Sequence, residues 1–139
     1  DDFVYRFRGN YFNFKSTIDS LEKIAKKNDI KNLRICLHEF DSSLVQHMII
    51  YHSSTYKVPI HRHRYKSEFL KIHKGNCFYK EYFEQNGEFI LKKKVNLNVD
   101  DVIIVPTNIW HNIEIEEDII FTEVSEGPFN KLSTDFANE

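Results

Sequence analysis

The sequence predicts an all-β domain, a sandwich, jelly roll or small barrel, carrying one short N-terminal helix. Three observations carry that prediction. About eight short runs rich in β-branched and aromatic residues follow one another from Leu33 to Val124. Turn-forming pieces separate them at close intervals. One window alone, residues 16–28, has helical periodicity.

In chain order, the first element lies in FVYRFRGNYFNF, where Phe3, Tyr5 and Phe7 alternate. The alternation predicts an extra strand that extends a sheet or crosses to a partner subunit. In STIDSLEKIAKKN, Ile18, Leu21, Ile24 and Ala25 recur at helical spacing and leave Lys23, Lys26 and Lys27 on the wet side. Ser16 is the expected N-cap, with Asp19 and Glu22 toward the positive end of the helix dipole and the lysines toward the other. Strands are then expected over 33–39, 44–53, 68–74, 77–84, 89–96, 101–105, 109–116 and 119–124. Asp41-Ser42-Ser43, Lys74-Gly75-Asn76, Gln85-Asn86-Gly87 and Pro106-Thr107-Asn108 supply turns. Asn86-Gly87 takes positive φ readily, so the runs on either side should form a hairpin. Lys92, Lys93 and Lys94 read as an edge-strand surface protected by charge. No repeat or linker divides the chain. The expected organisation is an extension over 1–29, one domain over 30–130 and a tail over 131–139.

Composition excludes several classes. Nineteen Lys+Arg against 21 Asp+Glu give a net charge of -2, without the electrostatic footprint of a nucleic-acid or membrane-surface binder. Twelve Phe, seven Tyr and one Trp argue against disorder. Cys36 and Cys77 are too few for a disulfide scaffold, which leads to the expectation of a reducing, cytoplasmic setting. No run approaches the roughly 18 apolar residues of a membrane span. No basic-then-apolar leader is read at the start, and Asp1 in place of Met suggests a trimmed chain. Seven histidines are the anomaly.

They fall at 38, 47, 52, 61, 63, 73 and 111. In Pro59-Ile60-His61-Arg62-His63, an extended backbone projects His61 and His63 to the same side, where both imidazoles reach one ion. Glu68 follows five residues after His63, and strict alternation points it to the opposite face. Arg64-Tyr65-Lys66-Ser67 must therefore bend the chain to bring the carboxylate back. With Glu68 inward, Leu70 and Ile72 are inward too, and His73 faces away. Farther on, His111 shares a face with Ile109, Ile113 and Ile115, a polar residue on an apolar stripe that needs a hydrogen bond or a metal. Three imidazoles and a carboxylate suit one divalent transition metal, iron, manganese, nickel, cobalt or zinc, with room for substrate, water or dioxygen.

This spacing resembles the cupin superfamily. His61, His63, Glu68 and Gly75 stand at the intervals of the HxH-x4-E-x6-G part of its first motif, and Pro106 and His111 at theirs in the second. Thr55, Asp100 and Asn108 replace motif glycines and Ile115 the final asparagine, although Asn108 tolerates positive φ. LRICLH (33–38), the HRH and KSE segment, PTNIWH and TEVSEGPF (122–129) resemble more narrowly the WbuC-type cupin-fold metalloproteins, small bacterial proteins of surface-polysaccharide clusters. The resemblance covers roughly residues 30–130. It implies a double-stranded β-helix (jelly roll), a metal held by His61, His63, Glu68 and His111, and a homodimer.

Arg34, Cys36 and His38 share one strand face, either solvent-facing or lining a pocket in which Arg34 holds a carboxylate or phosphate. The LRICLH likeness favours the pocket. Lys66 and Ser67 lie in the bend beside the proposed centre and could contact an anionic ligand. Cys77 reads as apolar packing; Tyr79 and Glu81 share its face and could line a pocket, but are expected as a surface pair, and Cys36 lacks support as a nucleophile. The leading expectation is an enzyme acting on a small polar molecule, a sugar or sugar nucleotide. A non-catalytic carbohydrate-binding or sensing module, a closed structural metal site and an iron-dependent dioxygenase are the alternatives.

Overall fold

A computed structural model describes residues 2–137. The first six elements are β1 (Asp2–Arg6), α1 (Phe14–Lys27), β2 (Asn32–Cys36), β3 (Val45–His52), β4 (His61–His63) and β5 (Glu68–Lys74). Then come β6 (Cys77–Gln85), β7 (Glu88–Leu97), β8 (Val102–Val105), β9 (Trp110–Ile115) and β10 (Ile119–Glu126). A single 3₁₀ turn, Lys131–Ser133, leads into β11 (Thr134–Phe136).

The strands form two sheets, ordered β1-β2-β3-β10-β5-β8 and β11-β4-β9-β6-β7. From β3 onward the chain passes back and forth between them, which is the winding of a double-stranded β-helix. Pairing is antiparallel apart from β1 with β2. The inner core joins both sheets: Ile50, Leu70, Ile72 and Phe121 from one meet Cys77, Tyr79, Leu97 and Ile113 from the other. A second cluster lies on the back of the six-stranded sheet. There Leu21 and Ala25 of α1 pack on Leu33, Ile49, Tyr51 and Ile120.

Alternation therefore sorts β2 cleanly. Leu33, Ile35 and Leu37 go to the helix side, and Arg34, Cys36 and His38 to the interior. The helix differs from expectation in two respects. It begins two residues before Ser16, with Asn13 as N-cap, whose side chain accepts from Ser16 N at 3.0 Å. The run of aromatics around Phe14 hides this start in the sequence. Ile24, read as part of the buried stripe, is 46% exposed, because the stripe that meets the sheet is narrower. Residues 131–139, read as a tail, include β11, which adds the outer strand of the second sheet.

Several turns take a left-handed backbone, and the second motif keeps it although its glycines are replaced. Asn86 (φ 54) and Gly87 (φ 79) close the β6–β7 hairpin as expected. Asp100 (φ 73) and Asn108 (φ 65), the two stand-ins in the second motif, both occupy the left-handed region. The exposed β7 edge carries Lys92, Lys93 and Lys94, with Lys94 Nζ over the Phe78 ring at 4.2 Å. No helix among the described residues is long and apolar enough to cross a membrane.

Candidate metal centre

β4 is extended, so His61 and His63 face the interior together while Arg62 faces out, against Asp135 and over the Trp110 ring. β9 lies beside it with His61 opposite His111. The chain bends at Arg64 and Tyr65 and crosses to the other sheet, where Glu68 opens β5. This bend resolves the alternation problem, because Glu68 approaches the imidazoles from the facing sheet. His61, His63, Glu68 and His111 offer one ligand atom each, all within 4.8 Å of one another. Glu68 Oε1 lies 3.2 Å from His63 Nε2 and 3.4 Å from His111 Nε2.

The far side of each ring fixes its orientation. His61 Nδ1–H donates to Pro59 O at 2.8 Å and His111 Nδ1–H to Ile109 O at 2.9 Å. A carbonyl only accepts, so both rings carry their proton on Nδ1 and turn a bare Nε2 to the centre. His63 Nδ1 lies 2.9 Å from Thr134 Oγ1. Such outer partners set tautomer and aim in metal-ligating histidines. Bonds of about 2.0–2.2 Å to one ion put opposed ligand atoms roughly 4.4 Å apart, close to the spread found here, so the donor set fits a divalent ion.

The charges fit as well. Burial, and next the neighbouring His111, push the His61 imidazole down to about 4, so it is neutral and able to ligate at ordinary pH. Burial alone would raise the Glu68 carboxyl. A hydrogen bond from the protonated Glu123, and next the adjacent His111 and His63 rings, overcome that and hold it well below the usual carboxylate range. Glu123 moves the other way: burial and then the Glu68 charge keep it protonated well above the usual range. Two buried carboxyls thus share one proton, with the negative charge on the one that faces the histidines.

Sequence reasoning passed over Glu123. Its signal was an acid on the face that it shares with Phe121, two residues past the apolar run Ile119-Ile120-Phe121. Tyr79 and Glu81 are not a surface pair. Tyr79 is fully buried, its Oη donates to Glu81 Oε2 at 2.7 Å, and Glu81 stands opposite His111 in the register of β6 with β9. Burial and then Glu81 raise the Tyr79 phenol. Shared-face alternation was right for this pair, but the acid's burial carries no local signal.

The centre opens into a cavity of about 560 Å³. Arg34, His38 and Lys66 all line it, with Glu123 and His52. The backbone N–H of His47 donates to His38 Nδ1 at 3.0 Å and fixes the His38 ring. Lys66 Nζ donates to Ser125 Oγ at 3.3 Å. Cys36 also faces the cavity, but burial pushes its thiol up, as it pushes Cys77 up to about 12, so neither is an activated nucleophile. His73 lies on the other face of its sheet, against Phe14 and Thr122.

His52 carries a stability prediction. Its ring stacks on Tyr56 at 4.5 Å, its Nδ1 is buried without a hydrogen bond, and burial followed by the Arg34 charge lowers it to about 3. The unfolded chain takes up this proton near pH 6.5 and the folded chain does not, so stability is whole above that pH and falls as pH drops toward 3. His52→Phe should remove roughly 2–3 kcal/mol of the loss between about pH 7 and 4.5. Unfolding free energies of both proteins at the two pH values check it, and equal losses would overturn it.

No family model and no curated sequence matches the chain. Solved structures do. Salicylate 1,2-dioxygenase from Pseudaminobacter salicylatoxidans superposes with a TM-score of 0.66 at 10% identity, over 92% of this chain and 39% of that one. A cupin superfamily protein from Desulfitobacterium hafniense gives 0.54 at 17% identity, over 69% and 77%. A conserved protein of unknown function from Streptococcus pyogenes gives 0.55 at 11% identity, over 72% and 77%. The chain thus spans about two fifths of the dioxygenase. Identities this low establish the fold alone. The chain has the cupin fold, a jelly roll with one helix, and a cluster of three histidines and a glutamate able to hold a metal.

Proposed function

We propose that this chain is a divalent-metal-dependent cupin enzyme acting on a small polar metabolite, a sugar or sugar nucleotide of surface-polysaccharide biosynthesis. One observation carries the metal part: three imidazole nitrogens and a carboxylate oxygen converge within 4.8 Å beside a cavity large enough for a metabolite. His61, His63, Glu68 and His111 would hold iron, manganese, nickel, cobalt or zinc. Such an ion, when bound, supplies Lewis acidity toward a substrate oxygen or a position for water or dioxygen.

The chain's own groups serve the rest. Arg34 and Lys66 face the cavity and hold the phosphate or carboxylate of the substrate. His38, steadied by the backbone amide of residue 47, offers a further polar contact. Glu123 keeps its proton on the carboxyl beside Glu68 and so keeps charge repulsion out of the centre. The cupin resemblance supports the polysaccharide context and a homodimer, toward which exposed Phe3, Val4 and Tyr5 on the β1 edge contribute apolar surface, and the free Cys36 and Cys77 support a reducing, cytoplasmic setting. A dioxygenase is the second reading, favoured by the superposition of 92% of the chain on salicylate 1,2-dioxygenase.

Metal analysis of protein purified without added metal tests the reading, repeated on His61→Ala and His111→Ala. The expected result is about one ion per wild-type chain and near-complete loss in both variants. A metal-free wild type, or full retention in both variants, overturns it. Oxygen uptake by the iron-loaded protein separates the dioxygenase from an isomerase, and sugar binding without turnover would identify a sensing module instead.

A further inference from the structure

Two of the three inward-facing imidazoles are steadied from within their own strand segments. Pro59 O and Ile109 O each lie two residues before the ring that they hold. Backbone carbonyls at that spacing come with the strand and cannot be lost by substitution. His63 has no such carbonyl. Its Nδ1 partner is a side chain 71 residues away, Thr134 Oγ1 on β11.

The strand around Thr134 is built onto β4. Thr134, Asp135 and Phe136 pair with His63, Arg62 and His61 in antiparallel register. Asp135 accepts from Arg62 Nε at 2.8 Å, Arg64 N donates to Ser133 O at 3.1 Å and Ala137 N donates to Ile60 O at 3.0 Å. The Phe136 ring stacks on His61 at a centroid distance of 6.0 Å. On its other side β4 meets β9 at one register position, His61 with His111. Three residues so lightly held on one flank take much of their placement from the other.

We propose that Thr134 is a positioning residue of the metal centre, orienting His63 and making the C-terminal strand part of the site. With Nε2 turned to the centre, the His63 proton sits on Nδ1 and is donated to the Thr134 hydroxyl. The hydroxyl thereby fixes both tautomer and ring angle, as the two carbonyls do for the other rings. A residue that only packed would act through its methyl group. Thr134 acts through its oxygen, and that difference is measurable.

The inference rests on the metal reading above, and its test separates the two. Cobalt(II) is titrated into wild type, Thr134→Val and Thr134→Ser, with affinity read by competition against a chelator and geometry by the visible absorption of the bound ion. Valine keeps the shape and removes the hydroxyl; serine keeps the hydroxyl and removes the methyl. The expected result is binding weakened about 10- to 100-fold in Thr134→Val with an altered cobalt spectrum. Thr134→Ser should stay within about threefold of wild type and keep its spectrum. Wild-type affinity in Thr134→Val, or equal weakening in both variants, overturns the positioning role and leaves the metal site standing. Failure of the wild type to bind cobalt removes the metal reading itself, and this inference with it.

Discussion

Replacing Glu68 with glutamine is expected to weaken divalent-metal binding at least about a thousandfold, a loss of roughly 4 kcal/mol. The size follows from charge. His61 is held neutral, and the Nδ1 protons of His61 and His111 leave bare nitrogens toward the centre, so Glu68 is the one anion in the set. An amide oxygen at the same place donates weakly to a dication and neutralises none of its charge. Shape is kept, so the variant should melt close to the metal-free wild type. Glu123→Gln supplies the contrast. Glu123 already carries its proton, and a carboxamide still offers Glu68 a hydrogen-bond donor. That variant should bind within about tenfold of wild type, since outer-partner losses stay below that of a ligand. Competition titration of the two variants against one chelator checks both values. Equal losses would mean that the charge sits on either carboxyl, and binding by Glu68→Gln within tenfold of wild type would remove Glu68 from the ligand set.

That four-residue set was legible in the sequence for a physical reason. Period-two alternation places His61 with His63 and His111 with Ile113 and Ile115, and the interval to Gly75 ties Glu68 to the end of the same strand. The need for a bend at Arg64-Tyr65-Lys66-Ser67 was legible too, since strict alternation otherwise puts the carboxylate on the wrong face. The same rule put Arg34, Cys36 and His38 together, and only the helix on the other side of β2 decides that this face is the cavity.

What stayed hidden depends on pairing across long sequence separations. Glu123 meets Glu68 because β10 lies beside β5, with Ser125 opposite Glu68, and nothing local marks that register. Thr134 reaches His63 across an antiparallel pair whose members lie at distant points of the chain. Three residues of β11 are too few to show periodicity, so this segment read as a tail. The Tyr79–Glu81 pair was misplaced at the surface because exposed acids are the rule, and the exception is set by β9 and His111 packing beside it.

Gly75→Ala is the substitution with the largest expected effect on the fold. Gly75 turns the chain from β5 into β6 at φ +77, where a side chain is strained in any surroundings. Space is the stronger objection. A Cβ built there lies 2.2 Å from Asp118 O, 3.0 Å from Asp118 C and 3.1 Å from Ile119 Cα, all backbone atoms that no rotamer change moves aside. Relief requires the β5–β6 turn to part from the segment entering β10. Those strands carry Glu68 and Glu123, so the damage runs toward the centre. The expected cost is about 3 kcal/mol or more, or roughly 10 °C in melting temperature. Gly75→Asn discriminates between the two causes, because asparagine tolerates positive φ yet still carries a Cβ. Denaturant unfolding should find both variants destabilised to within about 1 kcal/mol of each other. Recovery of wild-type stability by asparagine would show that backbone conformation, and not the closeness of Asp118, is what requires glycine at this turn.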